Sequence, residues 1–351
     1  MNRNIQTTHL YREIHQQFDV IHNLVSNPQA PIKKLAERIN QQNIKHVFIA
    51  ARGTSDNAGR YAQYLLGAHN QMVVTLATPS LFTIYQQPPD LANTLVLGIS
   101  QSGKSPDIVS VLLEAKHQGA LTAAITNTPG SDLGEAADII LDLQAGDELS
   151  LAATKTYTSQ LTNLAILSAE LSNSDQHKKD LQALPGMIEN IFTHETMVDS
   201  LVERYRYMTH NVVISRGFNY ASAFEFSLKM KELTYTNAEP YSSADFLHGP
   251  VALVDKGFPV FVIAPSGKMI AEMQALVEKV KDRQAEVIML SDNHELTSLA
   301  DRSLSLPSGI PEWLSPIPVI IPAQLFAMYL SFTRGYDVDN PRGLKKVTET
   351  W

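Results

Sequence analysis

The sequence predicts an α/β protein made of two tandem domains, each a doubly wound parallel sheet with helices on both faces. The first observation is a regular alternation of short apolar strands with helical segments, which is typical of parallel sheets. The second is an internal repeat: Arg52-Gly53 and Ser102-Gly103-Lys104 return, at one constant offset, as Arg216-Gly217 and Ser266-Gly267-Lys268. The chain, at 351 residues, is also long enough for two cores.

The elements of the first repeat follow an N-terminal segment whose apolar residues have helical spacing. Short apolar or β-branched runs then predict strands at 46–51, 94–100, 121–127 and 138–143. Helical or mixed segments separate these runs, and a longer helix is predicted at 156–173. The second repeat begins with a strand at 211–217.

The second repeat follows the same order as the first. LTAAITN at 121–127 has its counterpart in EVIMLSD at 286–292, and DIILDL at 138–143 has its counterpart in RSLSLP at 302–307. The predicted organisation is an N-terminal helical segment at 1–40, a first domain at 41–170, a helical linker at 171–205, a second domain at 206–335 and a C-terminal tail at 336–351.

Composition excludes several classes of function. The formal net charge of -8 argues against nucleic acid or an anionic membrane as the main partner. The sequence has no cysteine, so disulfides, thiolate metal sites and cysteine nucleophiles are ruled out within it. No signal peptide and no run of 18 apolar residues is apparent, so we expect a cytoplasmic protein without a membrane partner.

One short motif raises a question about phosphate binding. Gly98 to Ser105 match G-x-x-x-x-G-K-S, the pattern of the nucleotide-binding P-loop. In the second repeat two hydroxyls of this motif are lost, since Ala264 replaces Ser100 and Met269 replaces Ser105. The Gly-Lys pair is retained, so hydroxyl groups distinguish the two copies. We therefore disfavour the P-loop interpretation, which depends on the lysine and on a bound magnesium ion.

The hydroxyls themselves predict a metal-free phosphate cradle. They follow two strands of a parallel sheet and precede two helices, where backbone N–H groups attract anions. Ser105 is suited to cap its helix and Pro106 to the first turn. The predicted phosphate-binding residues are Thr54, Ser55, Ser100, Gln101, Ser102 and Ser105.

Several longer motifs resemble the sugar-isomerase (SIS) family, among them ARGTSDNAGRYAQ, ISQSGKSPDIV, ELSLAATKTYTSQL and NPRGLKKVT. Within that family the chain is similar to the isomerase half of glutamine:fructose-6-phosphate amidotransferase. The resemblance covers nearly the whole chain. It implies two tandem SIS domains of flavodoxin-like topology, a sugar phosphate as ligand, no metal or organic cofactor, and a homodimer. Lys104 stands where the family usually has glutamate.

The resemblance also implies catalytic residues. Glu232 and Lys229 lie three apart on one predicted helix face, and a carboxylate base suits aldose–ketose isomerisation. The family pattern assigns Glu232 to proton transfer between C1 and C2, with Lys229 beside it. It assigns ring opening to His248, reaching in from the neighbouring subunit, and Schiff-base formation to Lys346 in a tail that closes as a lid.

Some positions depart from the family pattern near the sugar. Ala153 stands in place of a serine, Lys345 in place of an alanine and Val347 in place of a serine. Glu148 is expected to order the loop that contains Ala153. These departures put the contacts around C1 and C2 in doubt.

The expected activity depends on what the sequence lacks. It has no cysteine nucleophile and no room before residue 40 for a glutaminase domain, so we expect no glutamine-dependent chemistry. The expected reaction is glucosamine 6-phosphate plus water giving fructose 6-phosphate plus ammonia. A deglycase acting on fructosamine 6-phosphates, or an isomerase for galactosamine or tagatose phosphates, stays open. A sugar-phosphate-sensing regulator also stays open, although the N-terminal segment makes a poor DNA-binding helix-turn-helix.

Overall fold

The computed structural model describes residues 4–346, and these fall into two compact units. Among the described residues, the unit that holds the first sheet contains Asp19–Glu148, Lys155–Gln182, Lys345 and Lys346. The unit that holds the second sheet contains residues 4–18, Leu149–Thr154 and Ala183–Leu344. We call them the first-sheet unit and the second-sheet unit.

The first sheet is entirely parallel and has the strand order β2-β1-β3-β4-β5. This is the order of doubly wound, flavodoxin-like sheets. Its strands are β1 (His46–Ala50), β2 (Val73–Leu76), β3 (Thr94–Ile99), β4 (Leu121–Thr126) and β5 (Ile139–Asp142).

The second sheet repeats this topology with the order β7-β6-β8-β9-β10, again all parallel. Its strands are β6 (His210–Ser215), β7 (Asn237–Ser242), β8 (Pro259–Ile263), β9 (Glu286–Ser291) and β10 (Arg302–Ser305). The identical order confirms the predicted fold class of two duplicated parallel sheets.

Helices connect the strands, as parallel crossovers require. In chain order they are α1 (His9–His15), α2 (Gln17–Ser26), α3 (Ala30–Gln41), α4 (Thr54–Asn70), α5 (Ser80–Thr83), α6 (Pro106–His117), α7 (Asp132–Ala136), α8 (Lys155–Ser172), α9 (Asp175–Phe192), α10 (Glu195–Val202), α11 (Tyr220–Thr234), α12 (Ser243–Leu247), α13 (Ile270–Asp282), α14 (His294–Leu299) and α15 (Pro316–Thr333).

Two strands were not predicted from the sequence, and both lie at a sheet edge. β2 alternates between exposed and half-buried residues, and β7 contains Pro240 among polar residues. Proline has no backbone N–H to donate to a neighbouring strand, and an edge strand tolerates this because one of its sides has no neighbour. Edge strands carry a weaker apolar signal than central strands, which are buried on both faces.

Helix α15 contradicts the expectation that no segment is long and apolar enough to cross a membrane. Its 18 residues have a mean hydropathy of 1.4, and 89% of them are buried inside the protein. Phe326 of this helix packs edge-on against Phe226 and Phe261. The helix is therefore a core element of the second-sheet unit.

Candidate active site

The two predicted phosphate loops lie side by side at the carboxyl edge of the first sheet. Ala50 at the end of β1 is the direct partner of Gly98 near the end of β3. The first loop leads into α4, which begins at Thr54, and the second leads into α6 with Ser105 as its N-cap. Two helix N-termini therefore meet at one sheet edge, which is where open α/β sheets bind anions.

The Ser100–Gly103 turn is held in one conformation. Ser100 is 8% exposed, and its Oγ accepts a hydrogen bond of 3.1 Å from the Gly103 N–H. Gly103 has φ +65°, and a Cβ at this position would come within 1.9 Å of Ser131 Oγ. Only glycine fits this turn, because both its backbone conformation and its packing exclude a side chain.

The hydroxyl groups around this turn are held by few bonds within the loops. Ser105 occupies the N-cap of α6, but its hydroxyl makes no capping hydrogen bond. Ser55 Oγ accepts a 2.9 Å hydrogen bond from the amide of Gln160, a buried residue of α8 that sequence reasoning missed. Ser102 Oγ accepts a 3.4 Å bond from the backbone N–H of Lys104. The arrangement can bind an anion through hydroxyl and backbone donors.

The P-loop interpretation is wrong on structural grounds. Gly98 lies inside β3, where a Cβ would come within 2.9 Å of both Leu112 and Leu133 side chains. Close helix packing therefore explains this glycine, and Lys104 is exposed at the surface. Within residues 4–346 no three His, Asp or Glu side chains gather into a metal site.

The corresponding loop of the second repeat is occupied by the protein's own side chains. The Ser266 N–H donates to Asp292 Oδ1 at 2.6 Å. A Cβ on Gly267 would come within 2.4 Å of the Glu312 carboxyl carbon. Met269 packs 3.4 Å from the Cβ position of Gly217. Two carboxylates lie against this loop, and the apolar Met269 replaces the hydroxyl of Ser105, so this loop is unsuited to phosphate.

Helix α11 carries a buried charge cluster. Lys229 is 1% exposed, and its Nζ lies 2.6 Å from Glu232 Oε2 and 3.3 Å from Glu225 Oε1. Glu225 is fully buried, whereas the Glu232 side chain is 20% exposed. The three residues share one helix face through i,i+3 and i,i+4 spacing. Glu232 is thus the member of the cluster that solvent or a ligand can reach.

The cluster holds Lys229 in its charged form. Burial alone would lower the pKa of Lys229, but the carboxylates of Glu232 and Glu225 outweigh burial and raise it. A protonated lysine cannot act as a base, and it orients the Glu232 carboxylate by hydrogen bonding. Glu225 was missed in the sequence, although its i,i+4 spacing to Lys229 was a readable signal. Lys231, on the same helix, is exposed.

The remaining predicted residues of the second-sheet unit lie on loops. His248 is exposed, just after α12, and its N–H donates to Asp245 O at 3.1 Å. Ala153 is half-buried in the segment 149–154. That segment is held by Glu13, a buried residue of α1 that accepts hydrogen bonds from the backbone of Leu149 and from Ser150.

The tail lysine is paired with a buried carboxylate in the first-sheet unit. Lys346 Nζ lies 3.2 Å from Glu148 Oε2, and the Glu148 side chain has no exposed surface. Glu148 also accepts hydrogen bonds from the backbone and hydroxyl of Thr156 at 3.1 and 2.7 Å. Glu148 therefore binds both the first turn of α8 and Lys346. Val347, at which the sequence departs from the family pattern, lies outside the described residues.

Comparison with known proteins decides the family. The family model for the SIS domain matches residues 41–169 and 209–334, one match on each sheet. The chain belongs to the SIS-domain family. The resemblance predicted from the sequence motifs is therefore confirmed.

Relatives of this SIS-domain chain include two enzymes named glutamine--fructose-6-phosphate aminotransferase [isomerizing]. The one from Thermococcus kodakarensis is 34% identical over 346 residues, and the one from Escherichia coli is 31% identical over 362 residues. The matches cover 96% and 98% of this chain but only 57% and 59% of the two relatives.

Solved structures agree with the family assignment. The C-terminal domain of glucosamine-fructose-6-phosphate aminotransferase from Francisella tularensis has a TM-score of 0.87 and 28% identity, covering 95% of this chain and 98% of its own. A glucosamine-6-phosphate deaminase from Thermotoga maritima has a TM-score of 0.78 and 22% identity, covering 98% of this chain and 100% of its own. At that identity the second likeness concerns the fold alone.

Proposed function

We propose that the chain is a phosphosugar isomerase that converts glucosamine 6-phosphate and water into fructose 6-phosphate and ammonia. The observation that carries the proposal is the buried Glu225–Lys229–Glu232 cluster on α11. A binding protein would gain nothing from burying the Lys229–Glu225 pair beside a partly exposed carboxylate, because burial of ions is costly. An isomerase needs a carboxylate that is held in place and partly accessible, and Glu232 meets both requirements.

The family resemblance suggests a role for each residue, and the contacts of that residue support it. Backbone donors and hydroxyls of the Ser100–Ser105 loop, with Thr54 and Ser55, bind the phosphate group. Glu232 moves the proton between C1 and C2 of the open-chain sugar, and Lys229 keeps its carboxylate oriented. Lys346 attacks the carbonyl carbon, and Glu148 at 3.2 Å accepts the proton that the amine must lose.

The proposed deamination uses only chemistry that these 351 residues can supply. The 351 residues contain no cysteine, so they provide no thiol to release ammonia from glutamine. The named relatives use glutamine and fructose 6-phosphate, and this chain matches under two thirds of their length. The reaction we propose requires only water, which gives its oxygen to the sugar as nitrogen leaves as ammonia.

A second candidate is a deglycase that releases a larger amine from a fructosamine 6-phosphate. Ala153 favours it, because this half-buried position carries no hydroxyl where the family has serine. Lys345, exposed in the tail, replaces a small residue next to Lys346. Both changes alter the surroundings of the amine and leave the phosphate loop and Glu232 intact.

The decisive experiment is to incubate the purified chain with glucosamine 6-phosphate and to quantify fructose 6-phosphate and ammonia in the same sample. We expect equal amounts of both products. Glu232→Gln should lower the rate by a factor of about 10² to 10⁴, the usual contribution of a general base. Lys231→Gln, on the exposed face of the same helix, is the matched control and should retain activity.

Each other outcome has a defined meaning. A folded chain that forms neither product excludes the deaminase, and product release from fructosamine 6-phosphates would then establish the deglycase. If Glu232→Gln remained as active as Lys231→Gln, the assignment of Glu232 as the base would be wrong.

His248 is proposed to act in the site of a second subunit of a homodimer. Its exposure on the loop after α12 leaves it available to another chain. Mixing inactive His248→Ala and Glu232→Gln chains should restore about a quarter of the wild-type activity, since half of the random dimers then contain one complete site. No recovery in a mixture shown to exchange subunits would place His248 in its own chain's site.

A further inference from the structure

A cluster of aromatic and cationic side chains marks the end of helix α11. Tyr235 directly follows the helix in the left-handed conformation, with φ 56°. Its ring lies 4.9 Å from the ring of Tyr336, and the Arg342 guanidinium carbon lies 4.0 Å from its centroid. The backbone N–H of Arg342 donates to the Tyr235 hydroxyl at 2.8 Å. One side chain thus makes three contacts with the C-terminal tail.

The choice of residue at this position needs an explanation. Left-handed residues after a helix are usually glycine, because a Cβ strains that conformation. A tyrosine therefore adds strain here that glycine would avoid. The contacts of its ring with Tyr336 and Arg342 provide the compensating interaction.

The tail contacts lie shortly before a residue with a proposed chemical role. Arg342 precedes Lys346 by four residues, and four extended residues span at most about 14 Å. Gly343, between them, has φ +76° and sets the direction of the chain after Arg342. An anchor at Arg342 therefore confines the Lys346 amine to a small volume and raises its effective concentration.

We propose that Tyr235 is a positioning residue, which anchors the C-terminal tail through Tyr336 and Arg342 and thereby holds Lys346 for reaction. This role rests on the proposed function, because the reaction of Lys346 with the sugar is part of it. In that step the amine attacks the ketose carbonyl, water leaves, and an imine forms. Added borohydride delivers a hydride to the imine and leaves a stable secondary amine.

The test uses two substitutions of Tyr235 in the full chain. Tyr235→Gly removes all three contacts and keeps the left-handed helix end, so the thermal midpoint should stay within about 3 °C of wild type. Tyr235→Phe keeps the ring and removes only the hydrogen bond. Aromatic, cation–π and hydrogen-bond contacts each stabilise the docked tail by a few-fold in equilibrium constant. We therefore expect Tyr235→Gly to change the tail-cleavage rate and kcat about tenfold or more, and Tyr235→Phe to change them several-fold less.

Two measurements separate anchoring from chemistry. The first is the rate of trypsin cleavage after Arg342, Lys345 and Lys346, followed by mass spectrometry of the intact chain. The second is kcat for glucosamine 6-phosphate, together with the yield of borohydride-trapped adduct on Lys346 with fructose 6-phosphate. Tyr235→Gly should raise tail cleavage and lower both kcat and trapping, with KM changed little. In Tyr235→Phe the tail-cleavage rate, kcat and the yield of trapped adduct should all lie closer to wild type than in Tyr235→Gly.

The proposal has distinct points of failure. Unchanged tail cleavage in Tyr235→Gly would show that Tyr235 does not anchor the tail, whatever the activity. Faster cleavage with unchanged kcat and trapping would show an anchor without a role in positioning Lys346. A wild-type chain that neither turns over nor is trapped would overturn the proposed function and the positioning role, while the cleavage rates would still decide whether Tyr235 is an anchor.

Discussion

Replacing Lys229 by methionine should strongly destabilise the second-sheet unit. Methionine matches the length of the lysine stem and removes only the charge and its hydrogen bonds. Lys229 Nζ now lies 3.3 Å from Glu225, which is fully buried, and 2.6 Å from Glu232, which is one-fifth exposed. Removing one partner of a buried pair costs about 3–5 kcal/mol. Most of that cost should come from Glu225, because water can still solvate Glu232.

A double-mutant cycle assigns this cost to a particular pair. Glu225→Gln in the Lys229→Met background removes the buried negative charge, so it should restore about 2 kcal/mol. Glu232→Gln in the same background is the matched control. It should restore less than about 1 kcal/mol, since partly exposed ion pairs contribute little.

Urea unfolding followed by indole fluorescence provides the assay. Trp313 is 6% exposed in the second-sheet unit, and a Trp351→Phe background leaves it as the single indole of the chain. The denaturation midpoint should shift with little change in the slope of free energy against urea. A cost below about 1 kcal/mol for Lys229→Met, or no recovery with Glu225→Gln, would refute the reasoning about the buried cluster.

Two further predictions concern the phosphate turn and the N-terminal helix. Gly103→Ala forces a Cβ against Ser131 in a left-handed turn, so KM for the sugar phosphate should rise about tenfold in steady-state kinetics; an unchanged KM would contradict a phosphate role for this turn. Burial lowers the pKa of His15, but contacts with Glu195 and the backbone of Tyr11 together give a net rise. Burial raises the pKa of Glu195, but hydrogen bonds from His15, Tyr329 and Tyr11, with the charge of His15, together give a net fall. The 2.9 Å pair between them therefore stabilises the fold only while His15 is protonated and Glu195 is ionised. That stability is lost as pH rises through the raised pKa of His15, and also as pH falls through the lowered pKa of Glu195. The difference in thermal midpoint between wild type and His15→Gln should be largest between pH 4.5 and pH 6.5, the ordinary pKa values of glutamate and histidine. A difference that does not change with pH would contradict this role of the pair.

Sequence reasoning predicted the central strands well and the edge strands poorly. β3 and β4 are buried on both faces, and their apolar runs are readable without any knowledge of neighbours. β7 reads NAEPYS, and its strand conformation depends on pairing with β6. α15 was also misjudged, because a fully buried helix has no polar face to reveal its period.

The features of the candidate site also fall into those that local sequence reveals and those that depend on distant residues. Local spacing was sufficient to identify the hydroxyl loops and the Glu232–Lys229 pair, since each lies within one loop or one helix turn. The second-repeat loop shows what spacing cannot reveal. Its Gly-Lys pair survives in the sequence, but Asp292 comes from a different loop to occupy the backbone donor of Ser266.

The duplicated α/β architecture, the family and the residue types available for chemistry are all readable in the amino-acid sequence. These are properties of local pattern, namely apolar period, glycine in turns and hydroxyls before helices. Which charges are buried, and which residues pair with them, becomes visible once the chain is folded. Glu225 looks like an ordinary surface residue in the sequence, and only folding buries it beside Lys229. The family resemblance singles out Lys346, but only folding brings Glu148 to it. The physical reason is that burial and ion pairing depend on residues distant in the chain, and no short window of sequence contains that information.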